Sequence, residues 1–119
     1  MTINAEDFYE FANEIMDIGK RNRKEIYYRN VASRAYYYSY HQCANLLVRK
    51  YGFQIPGENV HQAVYHELIH RDFDLAQLLN RMRTLRTRAD YQLESTLTDR
   101  DATQALLFAQ EVADRVKAL

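Results

Sequence analysis

A chain with three glycines and one proline in 119 residues has few places to turn. Those breakers stand at Gly19, Gly52, Pro56 and Gly57. Glycine and proline are the residues that most readily end a helix, so long helices separated at those points are the simplest arrangement. Segment 5–18 reads as the first helix. Asn4 is placed to cap it, Glu6 and Asp7 suit the positive end of its dipole, and Phe8, Phe11, Ala12, Ile15 and Ile18 form an apolar stripe that Gly19 ends. Segment 23–51 reads as a long second helix with a possible break near Asn30. Val31, Ala35, Tyr38, Ala44, Leu47 and Val48 recur along it at helical spacing, and Gly52 is its stop.

Residues 52–58, with Pro56-Gly57, read as a turn, and 59–70 as a short helix with Val60, Val64, Leu68 and Ile69 inward. A fourth helix starts at Asp72 or Asp74 with Leu75, Leu78, Leu79, Met82 and Leu85 as its stripe. Thr98-Asp99-Arg100-Asp101 resembles a capping box, with Asp in place of the longer Glu. The helix it opens carries Ala102, Ala105, Leu106, Ala109, Val112, Ala113 and Val116 on one face. No strand alternation, repeat or low-complexity segment competes with this pattern. The expected fold is all-α: one domain over residues 1–119, an antiparallel bundle of four main helices plus a short one.

Composition narrows the function classes. The formal net charge is zero, so any attraction to nucleic acid must come from a local patch. One cysteine, Cys43, rules out an internal disulfide framework and fits a reducing, cytoplasmic setting. No run approaches the roughly 18 apolar residues of a membrane span. The first residues lack the basic and apolar regions of a signal peptide. Without a glycine-rich loop, a P-loop or dinucleotide fold is excluded.

Two segments could carry chemistry. The first is Ser33-Arg34-Ala35-Tyr36-Tyr37-Tyr38-Ser39-Tyr40-His41. Arg34 and His41 are seven residues apart, nearly two helical turns, so they share a face with Cα atoms about 10 Å apart along the axis. A guanidinium and an imidazole so placed could flank one phosphate, with Tyr37 and Tyr38 between them. The second is Leu85-Arg86-Thr87-Arg88-Ala89-Asp90-Tyr91, where Arg81, Arg83, Arg86 and Arg88 make a local basic patch. Arginine forks match phosphate oxygens. Both segments also have packing readings: the tyrosines, five of the chain's ten between Tyr27 and Tyr38, suit core and interface surface, and Arg86 with Asp90 is a routine helical ion pair.

A third motif, His66-Glu67-Leu68-Ile69-His70, spells H-E-x-x-H, the zinc-hydrolase pattern. Its flanks, Arg71 and Asp72, are charged where that helix is normally buried, and no third ligand is positioned beside it. It reads as a chance match on a half-exposed helix, and no metal or cofactor is expected. Cys43 reads as a small buried thiol.

The two segments together, Ser33-Arg34-Ala35-Tyr36-Tyr37 with His41, then Leu85-Arg86 with Arg88-Ala89-Asp90-Tyr91, followed by a closing amphipathic helix, resemble the HEPN superfamily (higher eukaryotes and prokaryotes nucleotide-binding). The resemblance spans roughly residues 5 to 118. It implies an all-α bundle, usually dimeric, that cleaves RNA or binds a nucleotide. Many HEPN ribonucleases place an arginine and a histidine at this interval on the later helix. Here no histidine follows Arg88, and the matching pair is Arg34 and His41 on the earlier one.

Two functions follow as expectations. One is a metal-independent endoribonuclease, the toxin or effector of a toxin–antitoxin or antiphage system, with Arg34 and His41 as the reacting pair. Tyr37, Tyr38, Arg86, Arg88, Asp90 and Tyr91 would then bind RNA or support the site, and the partners would be RNA, a second copy and a neutralising antitoxin. The other is a non-catalytic module that binds a nucleotide or docks onto a nucleotidyltransferase.

Overall fold

The computed structural model describes residues 2–119 and contains five helices, with no strand among the described residues. The helices are α1 (Ala5–Asn22), α2 (Glu25–Tyr51), α3 (Val60–Arg71), α4 (Phe73–Tyr91) and α5 (Asp99–Ala118). This is the expected all-α bundle: four long helices and a short α3. None of them is long and apolar enough to cross a membrane.

The starts follow the chemistry of their caps. Asn4 accepts from the Asp7 amide at 3.2 Å while the Asp7 carboxylate accepts from the Asn4 amide at 2.9 Å. Thr98 and Asp101 close the same reciprocal box on α5, so the shorter carboxylate reaches after all. Of the two candidate starts for α4, Asp72 is the cap, accepting from the Leu75 amide at 3.1 Å. Two expected boundaries move. Asn30 does not break α2, because its side-chain amide donates to the Ile26 carbonyl at 2.9 Å and stays on the helix surface. Gly19 does not end α1; the helix runs three residues further and closes on Arg23, whose φ of 52° lies in the left-handed region. Gly52, by contrast, is the stop expected for α2, with φ 66° and its amide donating to Val48.

Gly19 serves packing rather than termination. It is buried where α1 meets the start of α2, and a Cβ there would lie 3.0 Å from the Cβ of Tyr27 and 3.1 Å from the Tyr28 ring. The Tyr27 Cβ is fixed to its backbone and cannot swing aside. Gly19→Ala is therefore expected to destabilise by about 1–3 kcal/mol, outweighing the helix propensity it gains. A urea titration showing equal or higher stability would refute this.

Helix α2 is the hub and packs against all four others, while α4 also packs on α3 and α5. Its expected inward residues Val31, Ala35, Tyr38, Ala44 and Leu47 are buried, joined by Tyr36, Cys43 and Leu46. Two stripe residues turn out exposed. Phe11 faces solvent, and so does Val48, whose end of α2 is buried through Leu46 and Leu47 instead.

Asp72 also ties the bundle across its end. Its carboxylate takes two hydrogen bonds from Arg115 of α5, both 2.9 Å. The Arg115 bonds, and then the Leu75 amide, hold its pKa below the ordinary 3.8. A depressed carboxylate pKa stabilises the fold above the unfolded value and loses that contribution as pH falls through the folded one. Asp72→Asn keeps the cap and removes the charge. It should lower the melting temperature at pH 7, with the gap to wild type closing as pH falls well below 3.8. A gap that persists at low pH would show that the charge is not the cause.

Candidate functional site

The sequence places the two chemical segments on α2 and α4, and one buried cation sets their register. Arg29 is 6% exposed. Its guanidinium meets Glu25 at 2.7 Å, then donates to the carbonyls of Arg88 at 3.1 Å, Ala89 at 2.9 Å and Gln92 at 3.3 Å, and to that of Ser95. The last carbonyls of a helix have no intrahelical donors. Arg29 supplies one to Ala89 and a second to Arg88, whose carbonyl also takes the Gln92 amide, and its five-donor fork is the side chain suited to serve so many acceptors at once.

From that anchor, steps of one turn up α2 meet steps of one turn back along α4. The Ser33 hydroxyl donates to Asp90 Oδ2 at 3.1 Å. Asp90 lies 3.0 Å from Nε of Arg86, and another nitrogen of Arg86 donates to the Tyr37 hydroxyl at 2.7 Å. The Arg86 guanidinium faces the rings of Tyr37 and Tyr91, each with its centroid at 5.2 Å. Arg86 and Asp90 thus join the two helices.

Arg34 is differently placed. It lies over the Tyr37 ring, 5.9 Å from its centroid, and among the described residues it makes neither hydrogen bond nor ion pair. Its Nε is shut off from solvent with no acceptor. His41 stacks on Phe8 of α1, centroids 5.3 Å apart, and meets the Tyr40 ring edge-on at 5.1 Å.

The residue that sequence reasoning left out is His61, in the first turn of α3. It packs on the other side of the cluster, 4.5 Å from the Tyr40 ring and 5.4 Å from that of Tyr36. Its Nδ1 lies 2.7 Å from the hydroxyl of Tyr36. Tyr36 is otherwise buried, and burial pushes its phenol well above the usual range, so it remains a neutral partner for the imidazole. Both histidines titrate below the ordinary 6.5. Burial is the cause at His41. At His61 it is burial, then the positive charges of Arg83 and Arg86, then that of His41. The two imidazoles are therefore neutral at pH 7 and close enough to influence each other.

Not every expected residue joins this cluster. Tyr38 is buried on an adjacent sector of α2, 4.9 Å from Tyr9 of α1. Arg88 reaches Asp101 at 2.6 Å and ties α4 to α5. Tyr91 is exposed at the rim, against Arg86. Nor do Arg34 and His41 touch; each has its own aromatic neighbour. In the H-E-x-x-H motif His66 and His70 are exposed and Glu67 pairs with Arg71 at 3.5 Å. No group of three metal-ligating side chains occurs among the described residues.

No family model, curated protein or solved structure matches the chain.

Proposed function

We propose that this chain is a metal-independent endoribonuclease of the HEPN type, the toxin or effector of a toxin–antitoxin or antiphage system. The observation that carries the reading is the pair of imidazoles, His41 and His61, packed on one tyrosine ring. The Arg83 guanidinium acts on His61 and the Arg34 guanidinium lies over the Tyr37 ring, whose other neighbour is His61, and neither arginine has an acidic partner among the described residues.

Cleavage at a ribose requires three things. The 2′-hydroxyl loses its proton and attacks phosphorus, the phosphorane charge is stabilised, and the 5′-oxygen leaves with a proton. A neutral imidazole at His41 accepts the first proton. Arg34 meets the developing charge. His61 returns a proton to the leaving oxygen, the phosphodiester's own charge offsetting the arginines that keep its pKa down. The products are a 2′,3′-cyclic phosphate and a free 5′-hydroxyl. The resemblance supports the remainder of the reading: a homodimer acting on RNA and restrained by an antitoxin.

The test is incubation of the purified protein with mixed RNAs in excess chelator, beside Arg34→Ala and His41→Ala. Cleavage by wild type, lost in both variants, is the expected result. Equal cleavage by all three would remove the assignment. Binding of nucleotides without cleavage of any RNA would favour a non-catalytic module, docking on a nucleotidyltransferase among its possible roles.

A further inference from the structure

Beside His41, α1 and α2 border an open cavity of about 570 Å³. That is within the range of small-ligand sites. One wall is apolar, the stacked rings of Phe8 and His41. Ile3 and Ala5 extend the apolar part and Asn4 is committed to the α1 cap; the hydrogen-bonding groups that remain are Glu6 from α1, and Gln42, Asn45 and Arg49 in successive turns of α2. These groups are largely uncommitted. Gln42 spends one amide hydrogen on Glu6, at 3.1 Å, and keeps its carbonyl oxygen free. Asn45 and Arg49 make no side-chain hydrogen bond or ion pair among the described residues.

We infer that this cavity is a nucleobase subsite, which reads the nucleotide next to the scissile phosphate of a single-stranded RNA. The inference rests on His41 being a reacting group. The chemistry of the lining selects this occupant. Two side-chain amides and a carboxylate present both donors and acceptors, as the edge of an unpaired base requires. Aromatic and imidazole faces offer it a stacking wall. Arg49 lies eight residues beyond His41, about 12 Å along the helix axis. It is placed for the phosphate that follows. Arg34, His41 and Arg49 then mark the path of one strand along α2, with the base turned into the cavity between the last two. A paired duplex would keep that base edge occupied, so the substrate is single-stranded.

The experiment uses binding, so that it does not depend on catalysis. Short homopolymers of each of the four bases, 2′-O-methylated throughout to prevent cleavage, are titrated against wild type, Asn45→Ala, Gln42→Ala and Arg49→Ala. Wild type should prefer one base by about ten-fold or more, the discrimination expected from a good pair of base-edge hydrogen bonds. Asn45→Ala and Gln42→Ala should bring the four affinities to within about three-fold. Arg49→Ala should weaken all four alike and reduce the slope of log affinity against log salt by about 1. All these positions lie at the surface or half-buried, so the variants should fold, and circular dichroism checks this. Equal affinity of wild type for all four bases overturns the inference. So does a preference that survives both amide substitutions. A base preference lost in the variants, from a protein that cleaves no RNA, would uphold the subsite and remove the ribonuclease reading instead.

Discussion

Replacing Arg29 with methionine should cost this protein about 3–5 kcal/mol of stability, the largest effect expected of any single substitution outside the apolar core. The reason is the number of groups left behind. The carbonyl oxygens of Ala89 and Ser95 would lose their only donor and those of Arg88 and Gln92 one of two, around a residue that is 6% exposed. Each buried acceptor left unmade costs on the order of 1–3 kcal/mol, reduced where water can enter. Glu25 is the milder loss, since its carboxylate is 40% exposed and can be hydrated. Arg29→Lys should recover only part, because a single ammonium lacks the fork that spans the carbonyls. Chemical denaturation of the three proteins checks this. A loss below about 1 kcal/mol for methionine would mean that solvent replaces the contacts and that the register of α2 on α4 has another source.

On the proposed ribonuclease reading, His41→Ala should slow RNA cleavage by about 10²–10⁴-fold, the range for a positioned acid or base. Arg34→Ala should slow it by about 10²–10³-fold through lost charge stabilisation. The pH dependence is a sharper test than the magnitudes. Both histidines sit below the ordinary 6.5, His41 through burial and His61 through burial, Arg83, Arg86 and His41. The group that accepts the 2′-hydroxyl proton must be neutral and the group that protonates the leaving oxygen must be charged, so kcat/KM should be bell-shaped, with its maximum below pH 6.5 and a falling limb on either side. The surroundings of His61 predict the direction of a further shift. Arg83→Gln removes a positive neighbour, so it should raise the His61 pKa and extend the proton-donating form to higher pH. A single acid limb at or above 6.5, unmoved by Arg83→Gln, would separate the two imidazoles from the chemistry.

Helix existence was legible because it depends on local signals. Asn4, Asp72 and Thr98 cap where their side chains can reach an amide three residues on, and Gly52 stops α2 by adopting a left-handed turn. Gly19 was misread because the same residue type serves two ends. One is to permit a turn, the other to permit contact, and only the position of Tyr27 and Tyr28 tells them apart. The site divides along similar lines. Arg34 and His41 could be singled out from spacing on one helix. His61 could not, because it reaches Tyr36 and Tyr40 only through the docking of α3 on α2, with nothing near it in sequence to mark it. Tyr38 shows the converse. Helical spacing put it beside Tyr37, yet a helix carries different neighbours on adjacent sectors: Tyr38 packs on Tyr9, while Phe8 meets Tyr37 and His41.

The grip of Arg29 on α4 has a consequence for how the chain can vary. Apart from the Glu25 carboxylate, the four oxygens it holds belong to the backbone, so this contact is blind to which side chains stand at positions 88, 89, 92 and 95. Gln92, Leu93 and Glu94, exposed in the turn between α4 and α5, can therefore be rewritten while the turn stays anchored by Arg29 at its start and by buried Leu97 and the Thr98 cap at its end. Such a turn is a place where a lineage could retune what it meets outside the protein without disturbing Asp90, Arg86 and the tyrosines one turn away.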